Sequence, residues 1–161
     1  GLFGGIFFVV ALKLQYSILS GGLTVAIIIL PTIIRSTEEA LKTVPSTYRE
    51  ASLGLGATKF QTLYKVILPS AIPGILSGVI LSIGRVIGES AAILLTAGTV
   101  ASMPSSVFDS ARTLTVHAYL LTKETGDIQT ACGVGIVLIV IVFGLNTIAK
   151  LVAKRLNKAN Y

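Results

Sequence analysis

The chain has 161 residues, of which 53% are hydrophobic and 12% are charged, and its formal net charge is +6. Soluble domains usually carry about 25% charged residues, so this composition excludes an ordinary soluble domain and predicts an all-α integral membrane protein. The single cysteine excludes an internal disulfide.

Four apolar segments occupy most of the chain. A spanning helix needs about 20 mainly apolar residues, which only the last three segments provide. No positively charged region precedes the short first segment, so we expect it to be part of a helix in a longer protein and not a signal peptide. No linker separates the segments, and we expect one domain over 1–161. The segments are 1–12, 17–34, 71–100 and 128–149.

The basic residues predict which side of the membrane each connection faces. Nine of them lie in the polar stretch that begins at Arg35 and in the C-terminal tail 150–161, and three lie on the opposite side. Because Lys and Arg are enriched in cytoplasmic loops, the polar stretch and the tail are expected to be cytoplasmic. The three on the other side are Lys13, Arg112 and Lys123.

The polar stretch predicts two short helices. Thr47 and Glu50 match a capping box for a first helix over 48–55, and Gly56 after it suits a left-handed C-cap. A second capping box predicts another helix over 59–68. Two prolines are then expected at the start of the next membrane helix, where a missing amide donor costs least. The residues of this second part are Thr58, Gln61, Pro69 and Pro73.

This two-helix element, about 46–69, has three interpretations. It is a solvated loop in which Glu50 only caps a helix, a DNA-binding helix-turn-helix, or a docking surface for another protein. Membrane segments on both sides, and few base-reading side chains after Lys59, weigh against DNA. Gly54 and Gly56 permit close approach by another backbone and favour docking.

The same residues resemble the EAA signature of type I ABC-importer permeases. That signature reads E-A-A, three residues, Gly, nine residues, then I-x-L-P, and here Ser and Val are mild departures. The resemblance implies that the element is the coupling helix, which docks in a groove of a cytoplasmic ATPase. The matching positions are Glu50, Ala51, Ser52, Gly56, Val66, Leu68 and Pro69.

The external connection 101–127 predicts one helix. Ser106 and Asp109 match a capping box at its start. Apolar residues then recur at helical spacing, so we expect one face to lie along the membrane or to cover the outer surface. That face is formed by Phe108, Ala111, Leu114, Ala118 and Leu121.

Two charged residues interrupt the third apolar segment. Arg85 lies near the middle of a helix expected over 71–98, where a centred Arg costs roughly 2.5–3.5 kcal/mol. Glu89 follows one turn later and can pair with it. Small and polar residues accompany them: the stripe Gly78, Ser82, Arg85 and Glu89, and the pairs Gly74/Gly78 and Gly84/Gly88, which permit close helix packing.

The Arg85–Glu89 pair has two interpretations. It is a buried ion pair that locks the helix bundle, or it is part of a polar path for an anion. In the second case the fork of Arg85 binds two oxygens of an oxyanion at once. Glu89 then orients Arg85 and partly neutralises it, so that the anion is released.

Three longer stretches resemble phosphate-importer permeases of the PstA type, and the likeness covers nearly the whole chain. They are I-G-R-V-I-G-E-S-A-A, I-L-P-T-I-I-R-S-T-E-E-A-L and A-R-T-L-T-V-H-A-Y-L-L-T-K-E. The resemblance implies that Arg85, Glu89 and Arg35 take part in phosphate passage. The residues alone leave a second role for Arg35, that of an interfacial anchor at a helix end.

The resemblance also implies an assembly. The chain would be the C-terminal four of six helices of a permease in a bacterial or archaeal cytoplasmic membrane. A second homologous permease subunit, an ATPase dimer and an extracytoplasmic phosphate-binding protein would be its partners. ATP and Mg would be bound by the ATPase. This chain contains no G-x-x-x-x-G-K-[ST] motif, and we expect no cofactor, metal, nucleic acid or catalytic residue in it.

Two alternatives to phosphate import stay open at this point. A permease for sulfate or molybdate would use the same arginine fork, because the fork suits any tetrahedral oxyanion. A passive anion channel would need the polar stripe but no docking element.

Overall fold

The computed structural model describes the backbone of residues 1–158 and the side chains of residues 1–151 and 153. No strand occurs among residues 1–158. The helices are α1 Leu2–Ala11, α2 Ile18–Lys42, α3 Ser46–Gly54, α4 Lys59–Ile87, α5 Ala91–Leu94, α6 Leu114–Leu120 with the π-helical turn Leu121–Thr125 directly after it, and α7 Ile128–Lys158. Three of these, α2, α4 and α7, are long and apolar enough to cross a membrane. The last helix continues into the expected tail 150–161, of which residues 159–161 lie outside the described part.

The chain divides into two compact packing units. The first comprises Gly1–Ile29 and Gly84–Gly144, and the second comprises Leu30–Ile83 and the residues from Leu145 onward. Each of the three long helices contributes residues to both units. The element 46–69 belongs wholly to the second unit, and the external connection belongs wholly to the first.

The first unit has a small apolar core with a polar border. Hydroxyl side chains at the start of α2 are buried, yet each finds a partner. Ser17 Oγ donates to Ser20 Oγ at 3.0 Å, and Thr24 Oγ1 donates to the Ser20 carbonyl at 2.8 Å. Burial of these hydroxyls therefore leaves no unsatisfied donor. The core itself is formed by Val25, Ile93, Ala97, Val116 and Leu120.

The external connection does not form a helix at Ser106, and that expectation was wrong. Asp109 Oδ2 accepts the Ser106 amide at 2.8 Å, but this closes only a turn. The carbonyls of Val107 and Asp109 accept the amides of Leu19 and Ile18, each at 3.0 Å. The first turn of α2 leaves those amides without a partner. Because these carbonyls cap α2, they are not available to a local helix.

The helix of this connection begins later than expected. Thr113 is the N-cap of α6, and its Oγ1 accepts the Val116 amide at 3.4 Å. Val116 and Leu120 are the buried positions, so the expected face beginning at Phe108 is replaced by another. The apolar spacing that begins at Phe108 does not apply, because carbonyls before Thr113 accept amides of α2 and the helix starts only after Thr113.

The third apolar segment is not one helix, and the expected helix over 71–98 was also wrong. α4 ends at Ile87, and a break at Gly88–Ser90 precedes α5. Glu89 Oε1 accepts the Ala92 amide at 3.1 Å. A carboxylate that accepts a hydrogen bond from a free amide in the first turn of a helix stabilises the N-terminus of that helix, here α5.

At its other end α4 extends further than expected. It begins at Lys59, so Pro69 and Pro73 lie inside it and not at its start. The residues Leu63–Ile67 form a π-helical turn, and Leu68 alone separates this turn from Pro69. A proline ring inside an α-helix meets the carbonyl four residues earlier, and a wide turn relieves that clash. We attribute the continuity of α4 past Pro69 to this turn.

Small residues bring α2 and α4 together in the second unit, as expected for Gly74 and Gly78. A Cβ at Gly74 would lie 2.7 Å from the Cβ of Ala40, and one at Gly78 would overlap the Ser36 side chain. A Cβ at Gly88 would meet only carbonyls of α4 within 4 Å in the described part of the chain, so the expected close approach of another helix is not seen there. The pair Gly74/Gly78 therefore lies at a helix crossing.

Asp127 caps the N-terminus of α7. Its Oδ1 accepts the Thr130 amide at 3.0 Å, and its Oδ2 accepts the Thr130 hydroxyl at 2.5 Å. These hydrogen bonds, above all the one from the hydroxyl, hold the pKa of the Asp127 carboxyl below its ordinary value. The charged form of the side chain is therefore the form that the folded helix favours.

The cap makes the start of α7 sensitive to acid. Since the folded-state pKa is depressed, the stabilisation is present above the ordinary carboxyl pKa and is lost as the pH falls through the folded value. We expect hydrogen-exchange protection of the Thr130 amide to fall over that window. Asp127→Asn keeps a capping side chain without a titrating group, so its protection should not change with pH. A pH step that persists in this variant would assign the effect to another group.

Candidate functional site

The element 46–69 folds as two helices joined by a left-handed turn. α3 leads to α4 through Gly56, whose φ is +85°. This confirms the expected left-handed C-cap after the first helix. Among the described residues, nothing lies within 4 Å of the position that a Cβ at Gly56 would occupy. The backbone conformation, and not crowding, therefore requires glycine here.

One of the two expected capping boxes forms. Thr58 Oγ1 accepts the Gln61 amide at 3.3 Å, and Gln61 Oε1 accepts the Thr58 amide at 2.9 Å. The Thr47–Glu50 box was wrong, because α3 already begins at Ser46 with Pro45 as N-cap and no side-chain cap bond. Glu50 has no capping role, and its side chain is exposed.

A hydroxyl pair joins the two helices. Ser52 Oγ lies 3.0 Å from Thr62 Oγ1, and Thr62 is only 2% exposed. Ser52 occupies the position that is Ala in the EAA signature. The residue that departs from the signature therefore fixes one helix against the other. The sequence analysis did not identify Thr62. The signal that could have identified it is a second hydroxyl residue in the helix that follows Ser52.

Ser52→Ala restores the signature and should loosen the element. The substitution removes the bond to buried Thr62, and one lost hydrogen bond of this kind costs about 1 kcal/mol. We expect faster hydrogen exchange in α3 amides and a lower melting temperature in detergent. Ser70→Ala is a suitable control, because its hydroxyl donates only to the Val66 carbonyl of its own helix at 2.7 Å. Equal effects of both variants would contradict a role in joining the helices.

The element presents large apolar side chains to solvent. Leu55 is 90% exposed and Phe60 is 73% exposed, and the Phe60 ring stacks on Tyr64 with centroids 6.2 Å apart. Tyr48 and Ala51 are also exposed. An exposed apolar patch of this kind marks an interaction surface. Leu68 and Pro69, the last residues of the signature, are half-buried inside α4.

Arg85 and Glu89 do not form the expected i,i+4 pair. Arg85 lies in the last turn of α4 and is exposed, whereas Glu89 lies beyond the helix end and caps α5. Within the described part of the chain, the one ion pair joins Lys42 and Glu38 at 2.6 Å. Because the helix ends between the two residues, the spacing that would bring them together is lost. The hypothesis of a locking ion pair is therefore wrong for this chain.

The expected polar stripe is also divided. Gly78 packs against Ser36, and Ser82 is 2% exposed with its hydroxyl donating to the Gly78 carbonyl at 2.9 Å. These two residues serve helix packing and not a water-accessible face. Arg35 is exposed on α2, which continues to Lys42, so it is not at a helix end as the anchor hypothesis assumed. The role of Arg85, Glu89 and Arg35 in anion passage stays a prediction.

Residues 2–160 match the family described as binding-protein-dependent transport system inner membrane component. The chain belongs to this family. It is 38% identical to the probable ABC transporter permease protein YqgI of Bacillus subtilis, over 77% of this chain and 47% of that protein. It is 37% identical to the phosphate transport system permease protein PstA of Mycobacterium leprae, over 86% and 46%. It is 32% identical to PstC of Mesorhizobium japonicum, over 87% and 44%.

Membership of this inner membrane component family confirms the resemblance and the fold class inferred from the sequence. The chain is a helical, multi-pass membrane protein of the transport permease type. It spans about half the length of the curated relatives it matches. No solved structure matches the chain.

Proposed function

We propose that this chain is part of a permease subunit that moves inorganic phosphate across a bacterial or archaeal cytoplasmic membrane, driven by ATP on a separate ATPase. The observation that carries the proposal is its similarity to proteins named as phosphate transport permeases. The PstA proteins of Mycobacterium leprae and Mycobacterium tuberculosis align with 86% and 89% of the chain at 37% and 33% identity.

We infer that the element 46–69 is the ATPase-coupling surface and faces the cytoplasm together with the C-terminal tail. Support comes from the exposed apolar side chains of Leu55 and Phe60. The left-handed turn at Gly56 and the Ser52–Thr62 bond give this surface a fixed shape. A fixed surface transmits the movement of a partner, whereas a loose loop absorbs it. A second permease subunit and an extracytoplasmic phosphate-binding protein would complete the system.

We infer that Arg85 binds the phosphate during passage, with Arg35 as a further cation and Glu89 as a positioning residue. Support comes from the exposure of Arg85 and from the absence of an ion pair to Glu89 in the described residues. An unpaired guanidinium offers its planar donors to two oxygens of one anion. Glu89 fixes the break after α4 through the Ala92 amide, and so holds the helix end that carries Arg85.

The test is phosphate uptake by proteoliposomes that contain the full-length permease assembled with its second subunit and ATPase. The proposal expects uptake only when ATP is inside with the ATPase and the binding protein is outside. Uptake without ATP and without the binding protein would show a passive channel. Preference for sulfate or molybdate over phosphate in the same vesicles would show that the oxyanion was misassigned.

A further inference from the structure

The second unit contains a pocket in the element 46–69 that the proposed function does not use. Its volume is about 370 Å³, and it lies between α3 and the first turns of α4. Two cationic residues and four uncharged ones line it, so it combines an apolar floor with positive walls. The lining residues are Arg49, Leu53, Lys59, Thr62, Leu63 and Ile67.

The two cations of this pocket have no acidic partner in the described part of the chain. Glu50 follows Arg49 directly, yet neither Arg49 nor Lys59 takes part in an ion pair there. Their side chains are exposed. A pair of cations beside apolar side chains is complementary to a group that carries a carboxylate next to an apolar surface.

The floor of the pocket is held in place before any partner arrives. Ile67 is 3% exposed, and Thr62 is fixed by its bond to Ser52 at 3.0 Å. The Thr58–Gln61 capping box fixes the start of α4, where Lys59 stands. A preformed pocket loses little conformational freedom on binding, which favours a specific partner.

We propose that the Arg49–Lys59 pocket receives an acidic side chain of the cytoplasmic ATPase, together with an apolar residue beside it. This inference rests on the proposed function, since it names the chemistry by which the same element holds its partner. Docking would then be reciprocal, because the ATPase inserts a side chain into the element as well as receiving the element. We favour the ATPase over a lipid phosphate, because the pocket lies within the element 46–69 that we infer to dock on the ATPase.

The test uses a carbodiimide, which joins an amine to a carboxylate without a spacer, on the assembled full-length complex. We expect a cross-link from the Lys59 amine to an Asp or Glu of the ATPase, located by mass spectrometry. Lys59→Arg keeps the charge but removes the amine, so it should lose the cross-link and retain the ATPase. Lys65→Arg is the matched control, because Lys65 does not line the pocket, and it should keep the cross-link.

Charge reversal gives the second measurement. Arg49→Glu combined with Lys59→Glu should weaken ATPase retention about 10-fold or more, because like charges would face each other across the interface. Full retention by this double variant, or a Lys59 cross-link only within the permease, would overturn the inference while leaving ATP-driven uptake intact. If the double variant retains the ATPase fully but its uptake no longer depends on anionic lipid, the pocket binds a lipid phosphate instead. Failure of the unmodified complex to bind the ATPase would instead refute the proposed function.

Discussion

Arg85→Gln is expected to lower ATP-driven phosphate uptake about 10- to 100-fold while the complex still assembles. Removal of a charged donor that binds an anion costs roughly 1.5–3 kcal/mol, which corresponds to that range. Assembly should survive because Arg85 is exposed and makes no ion pair within the described residues. The measurement is initial uptake of labelled phosphate into proteoliposomes, with subunit stoichiometry determined on the same sample.

Two variants sharpen this result. Arg85→Lys keeps the charge but not the planar fork, so it should recover only part of the uptake. Lys123→Gln removes an exposed charge in the external connection and should leave uptake unchanged. If Arg85→Gln prevents assembly, the residue has a structural role and the anion-path hypothesis is wrong.

Gly56→Leu is expected to weaken the association of the permease with its ATPase. Because φ is +85° at this position, a residue with a side chain has to adopt the left-handed conformation. This conformation costs an ordinary residue roughly 1–2 kcal/mol. The turn should then relax to another conformation and tilt α3 away from its bond with Thr62. We expect the permease to insert normally, with ATPase retention reduced about 10-fold by the changed surface. Retention is measured by co-purification at several ionic strengths.

Gly56→Asn is the matched control for Gly56→Leu. Asn has almost the size of Leu, but it tolerates the left-handed region. Among the described residues nothing lies within 4 Å of the Cβ position, so neither substitution is crowded at its Cβ. Asn should therefore retain most of the ATPase. Equal losses in both variants would show that bulk at the docking surface, and not the turn, is responsible.

Local signals in the sequence predicted the parts of the fold that depend on neighbouring residues. The length of the apolar runs predicted three spanning helices, and Gly56 and the Thr58–Gln61 box predicted the turn and the start of the second helix of the docking element, though not the continuation of that helix to Ile87. Each of these features is decided within a few residues of the chain.

Features that depend on distant partners were not predictable. Ser106 and Asp109 matched a helix start, but the carbonyls around them pair with amides at the beginning of α2, about 90 residues earlier in the chain. Glu89 matched an i,i+4 partner, but it caps the following helix instead. In both cases a free backbone amide of another helix binds the acceptor that the local pattern had assigned to a nearby partner. A rule based on residue spacing cannot predict such a partner.

The connection 101–127 should tolerate an inserted sequence at some positions and not at others. Its carbonyls at Val107 and Asp109 close the open end of α2, and the Ser110 hydroxyl donates to the Ala97 carbonyl at 2.8 Å. Met103, by contrast, is 94% exposed. We therefore expect the protein to tolerate an epitope tag inserted after Met103, whereas the same tag after Asp109 would uncap α2.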